Sequence, residues 1–109
     1  MTRNTEITIK EGSTNLYADL GYADAAGMQR KSQLAAEIAR AIKARRLTQQ
    51  GAAALLGIDP SKVSRITRGQ LRGVSEAKLL ERVTKLGRDV KIVVGPVRRR
   101  AGKIELQFA

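Results

Sequence analysis

Four consecutive residues, Gly57-Ile58-Asp59-Pro60, constrain this chain more than any others. Glycine ends helices because it takes the left-handed conformation at no steric cost. Proline begins them, since its fixed φ suits the first helical position and the amide it lacks is not needed there. A stop and a start this close leave room only for a tight turn between two helices. Upstream, Thr48 is a helix N-cap, and Ala52, Ala53, Leu55 and Leu56 supply small and apolar residues. Downstream, Asp59 is placed to cap a second helix running from Pro60 to Arg68, which Gly69 ends. Ile58 and Val63 stand at the spacing of a hydrophobic staple.

The second helix has two distinct faces. Val63 and Ile66, three apart, point to the core. Ser61, Lys62, Ser64, Arg65 and Arg68 occupy the rest of its surface. Ala53 provides the small side chain needed where two helices cross closely. Charge supports a polyanionic partner. The formal net charge is +11, and residues 28–72 hold ten basic against two acidic side chains. Residues 1–27 are net acidic, so the cationic excess lies on the paired helices and behind them.

Together these features resemble the helix-turn-helix of lambda-repressor-like, or Xre-type, regulators. The resemblance rests on Thr48 and Gln49, small Ala53, L-G-I at 56–58 and V-S-R-I at 63–66. Gly51 departs from it, because a glutamate there often completes a capping box. The resemblance extends over roughly residues 15–95, through N-L-Y-A-D-L-G ahead of the first helix and L-G-R-D-V-K-I-V-V behind the last. That wider pattern is similar to a subgroup containing HigA-type antitoxins. Members are encoded beside a RelE-like ribonuclease toxin and repress their own operon, while others act as stand-alone regulators.

The expected fold is mainly α: a lambda-repressor-like bundle with a helix-turn-helix and a C-terminal β-strand or hairpin. Residues 1–23 read as an N-terminal arm, with E-I-T-I-K alternating like a short strand. Tyr17 and Tyr22 are expected to pack on the bundle beside Leu16 and Leu20, with base stacking as the alternative. Residues 24–87 form the DNA-binding domain. Its first helix begins near Asp24 and runs to about Arg46, with Leu34, Ile38 and Ile42 as its apolar stripe beside Ala35 and Ala41. A last helix is capped by Ser75, stapled by Val74 and Leu79, and closed by Gly87; Leu79, Leu80, Val83 and Leu86 make its buried stripe. Beyond Gly87 the hydrophobic period changes from helical to alternating. Val90, Ile92 and Val94 share one face, as do Ile104, Leu106 and Phe108, which predicts a hairpin over 88–109. Its apolar face needs cover, either from its own bundle or from a second subunit across a two-fold axis.

The functional expectation is a sequence-specific DNA-binding regulator, a repressor acting as a homodimer on a palindromic operator. Thr48, Gln49 and the first amides of that helix are expected to grip a phosphate. Ser61, Lys62, Ser64 and Arg65 are expected to face bases, guanine suiting Lys62 and Arg65, with phosphate contact as their alternative. Arg68 and Arg72 are expected on phosphates, and Thr67 could serve either purpose. Histidine and cysteine are absent, which removes the commonest general base and the commonest soft metal ligands. No enzyme activity, cofactor or metal is therefore expected. Three aromatic residues are too few for an RNA-stacking surface. A toxin-neutralising protein with secondary DNA binding stays open as another reading. No apolar leader or membrane span is evident, and a cytoplasmic location is expected.

Overall fold

The computed structural model describes residues 22–109, with side chains from Ala25 onward. Four helices follow in order: α1 (Tyr22–Ala44), α2 (Gln49–Leu56), α3 (Pro60–Thr67) and α4 (Glu76–Lys85). The readings of Tyr17, Leu16, Leu20 and E-I-T-I-K lie outside the described residues. Tyr22 and Asp24 belong to the first turn of α1, so the helix starts slightly earlier than an Asp24 cap implies.

The core is built from the expected stripes. Leu34, Ala35 and Ile38 of α1 meet Ala52, Ala53 and Leu56 of α2, Val63 and Ile66 of α3, and Leu79 and Val83 of α4. Leu71 and Leu86, in the loops after α3 and α4, complete it. α1 packs chiefly on α4, and α2 on α3. Ile42, Ile58, Val74 and Leu80 are half-buried at the edge of this cluster.

The helix ends explain the local geometry. Thr48 Oγ1 accepts from the Gly51 amide at 2.9 Å, and Ser75 Oγ accepts from the Lys78 amide at 3.1 Å. Asp59 does occupy the N-cap of α3, but its side chain makes no capping bond. Proline at N1 and the staple of Ile58 with Val63 are enough to set the start. Gly57 ends α2 at φ 70°, with the Ile58 amide donating to the Ala53 carbonyl at 3.1 Å. α3 closes one residue before Arg68. There the Gln70 amide returns to the Arg65 carbonyl at 2.8 Å and that of Gly69, at φ 78°, to Ile66 at 2.9 Å. α1 ends on the same pattern, Leu47 to Ile42 and Arg46 to Lys43, each 3.0 Å. The left-handed position there is held by Arg46, at φ 56°. A Cβ in that conformation costs roughly 1–2 kcal/mol.

The C-terminal segment corrects the sequence reading: among the described residues there is no strand or hairpin. Residues 88–109 run as irregular chain, half-buried at Leu106, which packs on the core. Arg30 Nη1 donates to the Ile104 carbonyl at 3.4 Å, so the segment lies back against α1. Alternation of apolar residues expresses only a preference for a half-buried sheet face, and two strands without a third seldom hold one. Gly95-Pro96 and three successive arginines, Arg98 to Arg100, further oppose a tight hairpin.

A buried ion cluster ties this segment to the bundle. Glu37 of α1 is only 8% exposed and accepts from both Arg40 and Arg88. Hydrogen bonding from Arg40 holds its carboxyl below the ordinary carboxylate range. Burial opposes this, and the Arg40 charge and Arg88 reinforce it. At the other end of the bundle, Arg30 Nε donates to Glu76 Oε2 at 2.7 Å, linking α1 to the first turn of α4.

Candidate nucleic-acid interface

Burial of Val63 and Ile66 fixes the rotation of α3 about its axis. Since Cβ atoms three and four apart share a face, the opposite side is turned outward with Ser61 and Arg65 exposed and Lys62 and Ser64 half-buried. Eight residues at 1.5 Å each make a helix about 12 Å long, comparable to the width of the DNA major groove.

The start of α2 is tied to the start of α3. Gln49 Nε2 donates to the Pro60 carbonyl at 2.8 Å. The carboxamide expected to grip phosphate is thus engaged through its nitrogen, and it brings the Thr48–Gln50 turn beside the first residues of α3. Thr48 caps only Gly51, which leaves the Gln49 and Gln50 amides without an intrahelical acceptor. These amides and the positive end of the helix dipole form an anion-favouring corner. Thr48 and Gln49 are both exposed there.

At the far end of α3, Thr67 Oγ1 donates to the Ser64 carbonyl at 3.0 Å. Its hydroxyl hydrogen is committed to the helix, and the oxygen remains an acceptor. Arg68, the C-cap, and Arg72, in the following loop, are exposed. The nine residues singled out from sequence thus divide into Thr48 and Gln49 at the α2 corner, Ser61, Lys62, Ser64 and Arg65 along α3, and Thr67, Arg68 and Arg72 at its last residue, its C-cap and the following loop.

Sequence reasoning passed over Gln50. It lines the open cleft between α2 and α3 with Ala53, Gly57, Asp59, Pro60 and Lys62. The paired glutamines at 49 and 50 were the available signal, but only the packing shows that the second borders α3. Among the described residues, no group of histidine, cysteine, aspartate or glutamate is arranged to hold a metal ion.

A family model described as a helix-turn-helix domain matches residues 16–95. A solved structure named as an XRE family transcriptional regulator is 36% identical, with a TM-score of 0.71, covering 79% of this chain and 99% of that one. The chain belongs to the Xre-type helix-turn-helix family. No curated protein matches it. The helix-turn-helix family match spans α1 to α4 and stops in the C-terminal segment, just past Val94, so the arginine run at 98–100 lies outside it. Among the described residues, no helix is long and apolar enough to cross a membrane.

Proposed function

We propose that this Xre-type protein is a DNA-binding transcription regulator that lays α3 in the major groove of its operator. The observation that carries the reading is the outward face of α3, with Ser61, Lys62 and Arg65 presented while Val63 and Ile66 anchor the helix. Arg65 and Lys62 suit guanine, whose O6 and N7 acceptors lie side by side in that groove. Ser61 and Ser64 fit closer, less selective contacts. The α2 corner at Thr48 and Gln49, with Arg68 and Arg72, holds the phosphate backbone and sets the register. Thr67 offers an acceptor between the two groups.

The test separates specificity from affinity. Affinity for duplex DNA should fall steeply with salt, by a few orders of magnitude between about 50 and 200 mM. Arg65→Ala should cost about 1–3 kcal/mol on a selected operator and much less on mixed-sequence DNA, whereas Arg72→Ala should weaken both alike. A flat salt response, or equal losses for Arg65→Ala on both sequences, refutes the assignment.

The reading includes a homodimer on a palindromic site, acting as a repressor. Its support is the uncovered run after α4: Ile92, Val93, Val94 and Val97 are 78–99% exposed. Burying each would contribute roughly 1.5–3 kcal/mol, which a second copy of the chain can supply in a closed, two-fold manner. Two copies of α3 would then address half-sites about one helical turn apart. A RelE-like toxin is the other partner that the HigA-type resemblance implies. A short ribonuclease-like reading frame beside the gene, whose product co-purifies with this chain, would support that version over the stand-alone regulator.

A further inference from the structure

We propose that Arg46, in the turn between α1 and α2, is a DNA-phosphate contact, an inference that rests on the DNA-binding reading above. Three helices of the bundle finish on a glycine with positive φ: Gly57 at 70°, Gly69 at 78° and Gly87 at 100°. α1 finishes on the same returning hydrogen bonds but carries arginine at the left-handed position, φ 56°. Glycine would meet that backbone requirement without strain. What the position retains is therefore a side chain, and strain kept at one residue is a pointer to function.

Arg46 is exposed, and among the described residues its guanidinium makes no hydrogen bond or ion pair. Its neighbour Arg45 is occupied differently, with Nη1 donating to the Leu86 carbonyl at 3.3 Å. Arg46 also stands only two residues before the Thr48 cap, so their Cα atoms are at most about 7.6 Å apart. Gln49 ties that corner to Pro60 at the start of α3. The guanidinium thus extends the anion-favouring corner of α2 by a full charge, with a planar fork suited to two phosphate oxygens. It would clamp the backbone where α3 enters the groove, without reading sequence.

The test compares the full chain with Arg46→Gly and Arg46→Lys on a mixed-sequence duplex of about three helical turns. Arg46→Gly should raise Tm by a few degrees, weaken binding about 5- to 10-fold, and lower the slope of log affinity against log salt by about 0.9 for each bound protomer, one phosphate's worth apiece. Arg46→Lys, which keeps the charge and the strain but not the fork, should keep the parent's salt slope and lose less affinity than Arg46→Gly. If the parent binds with strong salt dependence but Arg46→Gly keeps both affinity and slope, the inference falls while the DNA-binding reading stands. A lower Tm for Arg46→Gly would mean that the guanidinium holds the turn, and overturns the inference as well. Absence of salt-dependent binding by the parent removes both.

Discussion

Replacing Glu37 by glutamine should destabilise the bundle at neutral pH and do progressively less as the solution is acidified. The Glu37 side chain is 10% exposed, against 33% for Arg88 and 66% for Arg40. The Arg40 hydrogen bond is the leading cause of the lowered Glu37 pKa, but water reaches its exposed guanidinium and screens that contact, so its share of the stability is discounted. The Arg88 contact links α1 to the segment after α4 and is better shielded. A hydrogen bond to a charged group contributes roughly 1.5–3 kcal/mol, and the cost of burying the carboxylate offsets part of that. The expected loss is therefore about 2 kcal/mol. At ~4–8 °C per kcal/mol for a domain of this size, Tm should fall by roughly 8–16 °C. The sign with pH follows from the direction of the shift. The folded-state pKa of Glu37 is lowered from its ordinary value of 4.5, so its stabilisation is fully present above that value. It is lost as pH falls through the lowered folded-state value. Urea unfolding of parent and Glu37→Gln at several pH values should show a constant gap near neutrality that narrows below pH 4.5. A gap under about 0.5 kcal/mol at neutral pH, or one that persists in strong acid, would show that the ionised Glu37 carboxylate does not stabilise the bundle.

Two further outcomes are expected. Leu79 is wholly buried where α1 and α4 meet, so Leu79→Ala should cost roughly 2–5 kcal/mol in chemical denaturation; a loss below about 1 kcal/mol would show that the site closes around the cavity. The double substitution Ile92→Lys with Val94→Lys changes only exposed side chains, so Tm of the isolated protomer should hardly move. Sedimentation should nevertheless shift from dimer to monomer, and an unchanged mass would place any self-association elsewhere.

Much of α2 and α3 was legible because each boundary is written twice, once by a cap or glycine and once by the apolar spacing. Thr48, Gly57, Pro60 and Gly69 mark the ends, and Val63 with Ile66 sets the buried face. The end of α1 was less legible. A non-glycine left-handed residue has no compositional signature, so Arg46 read only as the approximate end of the helix. The side-chain partners of Gln49 and Glu37 were hidden for a different reason. Both bonds join residues far apart in sequence, Gln49 to Pro60 and Glu37 to Arg88, and depend on how the helices cross. The segment after Gly87 was misread because alternation records what a strand would bury, while pairing depends on a neighbour that these residues do not provide. Leu106 alone of the alternating set packs on the core, and Ile92 and Val94 are left in water.

On the DNA-binding reading, the corner of α2 and the outer face of α3 form the DNA surface. Amide chemical-shift mapping of the full chain during titration with a duplex carrying its operator tests this most directly. The largest changes should fall on residues 46–51 and 61–68, with smaller ones near Arg72 and little along the outer face of α4. Changes concentrated on α4 or on residues 90–109, with α3 unmoved, would contradict it.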